Sequence, residues 1–100
     1  MPSMAEYQVT YWRDIPSMVA ARDGGGAVSK VALPDRFQEA IDEAAMRAGA
    51  GDADAYLADW RREEWQQRDG DPGAVAATVA KELDDGFPAD RLKQLVEASG

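Results

Sequence analysis

Three tryptophans and three tyrosines stand out in this chain, Trp12, Trp60, Trp65, Tyr7, Tyr11 and Tyr56, with arginines close to several of them. Indole, phenol and guanidinium groups are the side chains enriched where one protein grips another. In Glu6–Trp12 the residues Tyr7, Val9 and Tyr11 alternate with Gln8, Thr10 and Trp12, so Trp12 falls off the main apolar face of its strand. Arg61 precedes Trp65 by four residues, the helical spacing at which a guanidinium stacks on an indole. Tyr11, Trp12, Arg13, Asp14, Arg61 and Trp65 are therefore the expected partner-binding residues. The competing reading is that both indoles fill a second, smaller contact of the core, since tryptophan is highly buried on average.

Other chemistry is restricted by what is missing. The chain has no cysteine and no histidine. Disulfides, thiolate nucleophiles, thiolate metal sites and a Ser-His-Asp triad are excluded. Only oxygen-ligated metals such as Mg²⁺ or Ca²⁺ remain within reach. Asp52 and Asp54 have the spacing that opens a calcium loop, but Tyr56 and Leu57 stand where that loop needs a ligand and a glycine. Gly24–Gly26 and Lys30 lack the spacing of a phosphate loop and read as a hairpin turn. No spacing singles out a carboxylate pair. The expectation is a non-enzymatic protein without a cofactor.

The net charge is 11 − 19 = −8. Such a chain repels nucleic acid and anionic membranes, so the expected partner is a protein with a basic surface. No apolar run approaches the ~20 residues of a membrane span. Met1–Glu6 has neither the charged nor the apolar region of a signal peptide, the pattern of a cytoplasmic chain.

A chain of 100 residues makes one domain. Residues 1–6 read as a flexible N-terminus and 7–98 as the domain. Alternation predicts strands at Glu6–Trp12, Ser17–Arg22 and Ala27–Leu33, with a break at Arg13–Pro16 and a turn at Asp23–Gly26. Helical spacing follows. Phe37, Ala40, Ile41, Ala44 and Ala48 form one stripe, ended by Gly49. A second helix is predicted over Ala53–Arg68, capped by Asp52, with Leu57 and Trp60 inward. A third starts at Asp71-Pro72 and stops at Gly86; a fourth runs from Pro88 to about Ala98. Asp84-Asp85 lies near a helix C-terminus, where the dipole disfavours acids. The expected fold is α+β: a short antiparallel meander of two or three strands covered by about four helices.

Three stretches carry a family likeness: YWRDIP at Tyr11–Pro16, PDRFQEAID at Pro34–Asp42 and ADWRREEW at Ala58–Trp65. Together they resemble the small bacterial virulence factor domain family, and the C-terminal part of the larger conserved virulence factor C. The resemblance spans roughly Tyr7 to Phe87. It implies an association with virulence phenotypes and carries no active site. The reading that results is a protein-interaction or regulatory module. The alternative is an accessory subunit of a metabolic enzyme, with Arg13, Asp14 or Arg22 completing a site on another chain. Self-pairing of an exposed strand edge is a route to a homodimer.

Overall fold

The computed structural model describes residues 4–49 and 57–99. Strand β1 covers Met4–Trp12, β2 Ile15–Arg22 and β3 Val28–Ala32. Helix α1 covers Asp35–Arg47. Two short strands follow, β4 at Trp60–Arg62 and β5 at Gln66–Asp69. Helices α2 at Pro72–Gly86 and α3 at Ala89–Ser99 complete the chain. Every strand pairing is antiparallel, in the order β3-β2-β1, with β4 and β5 both on the far edge of β1. The class is α+β as expected. Among the described residues it has five strands and three helices, against the two or three strands and about four helices predicted.

The predicted helix over Ala53–Arg68 is the main correction. Asp52 and residues 53–56 lie outside the described residues; Leu57 and Ala58 are helical as predicted, but Trp60–Arg62 and Gln66–Asp69 are strand. Trp12 faces Trp60, Tyr11 faces Arg61 and Thr10 faces Arg62 in one register. Tyr7 faces Gln66 and Met4 faces Asp69 in a register shifted by one. The extra residue sits in Glu63–Trp65. There the Glu63 N–H donates to the Val9 carbonyl at 3.1 Å, and Gln8 Nε2 donates to the Glu63 carbonyl at 2.9 Å. The segment is in effect one bulged strand. Its residues are good helix formers, but propensity is a few tenths of a kcal/mol per residue. Satisfying the second edge of a nine-residue strand outweighs that. Leu57, predicted to face the core, is 61% exposed.

Boundaries shift elsewhere for local reasons. β1 starts at Met4, inside the segment expected to be flexible, because Ala5 is buried and paired with Arg68. Pro16 belongs to β2 and not to the break. It lies opposite Tyr11 where the register slips by one, a place where a missing N–H is tolerated. Helix α2 has Asp71 as N-cap, its side chain accepting from the Ala74 N–H at 2.9 Å, and Pro72 at its first turn, as predicted. It runs through Gly86 and stops at Phe87, without the left-handed glycine stop expected at Gly86.

The core lies between one sheet face and the helices. Ala5, Val9, Val19 and Ala21 meet Val75, Ala76 and Val79 of α2 and Phe37, Ile41 and Ala44 of α1. Helix α2 crosses all three long strands, while α3 packs chiefly on α1. Arg36 joins α1 to the end of α2: its Nη2 pairs with the Asp84 carboxylate and donates to the carbonyls of Asp84 at 2.9 Å and Phe87 at 3.2 Å. Lys81 pairs with Asp85 at 3.1 Å. The two acids at this helix end are thus offset by cations of the same chain.

Candidate functional site

The β1–β2 turn gathers most of the residues expected to bind a partner. Arg13 and Asp14 make a two-residue turn, with Arg13 at φ +55°, in the left-handed region. Segment 59–61 holds Arg13 in place. Its N–H donates to the Asp59 carbonyl at 3.0 Å, its Nε to Asp59 Oδ2 at 2.9 Å, and its carbonyl accepts from Arg61 Nε at 2.9 Å. The Arg61 guanidinium lies 4.5 Å over the Tyr11 ring and within 3.9 Å and 3.5 Å of Asp14 and Glu63. Trp12, expected at a partner surface, is 0% exposed and belongs to the core. Of this group Asp14 and Arg61 are exposed, Asp14 the more so. The cluster fastens the hairpin to β4.

Tyr11 carries a pH signature of this packing. Burial, then the Glu63 carboxylate, push its phenol above the ordinary 10.0, with Arg61 opposing. A group whose folded value is raised contributes stability in full below its unfolded value and loses it as pH rises through the folded value. Folding stability is therefore expected to fall as pH climbs above 10.0, and Tyr11→Phe should remove that component. At neutral pH the variant should stay within about 1 kcal/mol of the parent. Urea unfolding across the alkaline range checks this.

Trp65 lies elsewhere. Its ring is stacked by Arg22 of β2 at 3.8 Å, not by Arg61. Both sit on the sheet face turned away from the core. Away from the register shift at Thr10/Tyr11, Ala5 and Val9 of β1 and Val19 and Ala21 of β2 enter the core, and Gln8, Thr10, Met18, Ala20 and Arg22 line a depression of about 270 Å³ on the other side. Register places this face in rows across the sheet. Arg22 lies between Val28 and Glu6, Ala20 between Lys30 and Gln8, and Met18 between Ala32 and Thr10, with Arg62 beyond Thr10. Ala20, in the middle of its row, is short, and the long side chains of Arg22, Lys30, Arg62 and Trp65 stand around it. That contrast makes the hollow.

The rim is cationic: Arg22, Lys30 and Arg62 line it and, among the described residues, no acid does. Arg22 has Glu6 at 3.5 Å. Lys30 and Arg62 have no ion-pair partner among the described residues. Positive charge has been gathered on one face of a chain whose net charge is −8. Arg68, just beyond the bulge, is neutralised by Glu82 at 2.6 Å, and that hydrogen bond holds the Glu82 carboxyl below its ordinary range.

The residues predicted as one surface therefore separate into a structural latch and one rim residue, Trp65. Lys30 and Arg62 were not anticipated. Strand alternation in Val28–Ala32 places Lys30 on the face of Gln8 and Thr10 once the register is known. Arg62 had no such signal, because its segment reads as helix.

The model of a family described as virulence factor matches residues 10–96. No curated protein matches the chain, and no solved structure does.

Proposed function

The chain belongs to the virulence factor family, and for it we propose the role of a non-catalytic protein-interaction module that works through the open face of its sheet. The observation that carries this reading is the rim of Arg22, Lys30, Arg62 and Trp65 around a hollow floored by uncharged side chains, Gln8, Thr10, Met18 and Ala20. Folding alone does not call for it. With acids in excess, most cations of the chain find a carboxylate, yet two on this face have none among the described residues. Arginine and tryptophan on a desolvatable concave surface are the side chains that anchor interfaces. The basic partner surface expected from net charge suits the acid-rich helical exterior; at the sheet face the complementary charge is negative.

Affinity capture from the source cells tests the reading. The bait is the folded protein, with Lys30→Glu/Arg62→Glu as the open-face variant and Glu39→Lys/Glu97→Lys as the helix-face control. One stoichiometric protein should be retained by the parent and the control and lost by the open-face variant. Retention by the open-face variant would overturn the reading. If the recovered protein is an enzyme whose rate changes on binding, the module is its accessory subunit.

A further inference from the structure

β3 is the edge strand beside this face. In the β2–β3 ladder, Asp23 N–H donates to the Ala27 carbonyl at 3.1 Å and Leu33 N–H to the Ser17 carbonyl at 3.1 Å. Both bonds fit the register that pairs Ala21 with Ser29 and Val19 with Val31. In an antiparallel ladder, residues alternate between directing both backbone groups to the partner and directing both away. Ala27, Ser29, Val31 and Leu33 therefore face β2. Val28, Lys30 and Ala32 present their N–H and C=O groups outward, and all three are exposed. β3 pairs only with β2 among the described residues. The side chains of the same three residues lie on the open face, in the rows of Arg22, Ala20 and Met18.

Resting on the reading of the open face as the working surface, we propose that β3 accepts an extended acidic segment of a partner protein as an added strand. Backbone pairing runs along Val28, Lys30 and Ala32. Alternate side chains of the incoming strand then fall on the open face, where a carboxylate meets Lys30. This is strand addition at a sheet edge, with affinity from main-chain hydrogen bonds and selectivity from alternate side chains.

Charge selects this occupant over a second copy of the chain. Antiparallel self-pairing that uses all three outward residues puts Val28 opposite Ala32 and Lys30 opposite Lys30, and like charges directly opposed are destabilising. Two bodies of net charge −8 also repel one another at long range. An acidic strand turns the same lysine into an anchor.

The test uses the full chain and a synthetic peptide of about nine residues alternating glutamate with threonine and valine, the length of an ordinary strand. Binding should slow hydrogen exchange at the amides of Val28, Lys30 and Ala32. Lys30→Glu should weaken it by about tenfold or more, and N-methylation of alternate peptide amides should abolish it. A lysine-for-glutamate peptide should not bind. Peptide binding that leaves those amides unprotected, or survives N-methylation, overturns strand addition and leaves the open-face reading intact. Failure of the acidic peptide to bind the folded parent, or a dimer whose interface protects those amides, overturns the choice of occupant. Neither outcome touches the capture experiment, which judges the open-face reading separately.

Discussion

Trp12→Ala is expected to remove about 3–5 kcal/mol of folding free energy, the range for deleting a fully buried aromatic side chain. Trp12 is 0% exposed and is the largest of the fully buried side chains. It sits at the end of β1 between Ile15 and Trp60 in register, so its loss opens a cavity where two strand pairings meet. In a domain of this size the corresponding fall in Tm is roughly 12–40 °C. Small domains have about 5–15 kcal/mol in total, so the variant stands close to unfolding under ordinary conditions. Trp65→Ala is the contrast. It is half-buried, loses the stacked Arg22, and should cost only about 1 kcal/mol. Thermal unfolding of the two variants side by side decides between core and surface roles for the indoles. Equal small losses would mean Trp12 does not occupy the core. The contrast also governs any binding experiment: a Trp12 variant would lose a partner by unfolding, whereas a Trp65 variant interrogates the surface.

Phe37→Ala is expected to cost a similar amount, about 3–5 kcal/mol, and to act unevenly across the molecule. Phe37 is 1% exposed in the first turn of α1. Its ring meets Phe87 edge to face at 6.2 Å between centroids, and the Arg36 guanidinium lies 4.7 Å over it. That cluster ties the start of α1 to the end of α2. Helix α3 packs chiefly on α1, so loosening α1 removes the main support of α3. Native-state hydrogen exchange should therefore show the α3 amides losing protection before those of β1 and β2. Phe37→Leu keeps most of the apolar volume and should cost less than about 1.5 kcal/mol. Uniform loss of protection across sheet and helices would show that α3 is not held in this way.

These expectations separate what was legible along the chain from what was not. The strand alternation of Tyr7, Val9 and Tyr11, the stripe of Phe37, Ala40, Ile41 and Ala44, and the Asp71-Pro72 start of α2 all lie where local pattern places them. The Asp23–Gly26 turn does too: Asp23 Oδ1 accepts from the N–H groups of Gly25 and Ala27 at 2.8 Å and 3.0 Å, and Gly26 takes φ +92°. Each rests on residues within a few positions of one another. The segment from Trp60 to Asp69 was misread because its arginines, glutamates and glutamines favour helix, and no alternation marks it as a strand. Trp12 was misplaced for a related reason. Alternation assigned it to the face opposite Val9, but burial depends on what covers that end of the sheet.

The site followed the same division. Trp65 lies outside the core cluster and lines the open face. Its cationic neighbour came from β2 instead of from its own segment, because a strand carries the side chain four residues on to a different place than a helix does. Composition by itself determined the absence of cysteine and histidine chemistry and the acidic charge of the whole, since both are sums over residues that folding cannot change. Local pattern determined three strands, three helix positions and the α+β class. Only the tertiary structure decided that residues 60–69 complete the sheet, that Trp12 is core, and that Arg22, Lys30 and Arg62 share one face. Those outcomes depend on pairing between segments far apart in the chain, where the energy of closing a strand edge exceeds the small preferences that local sequence expresses.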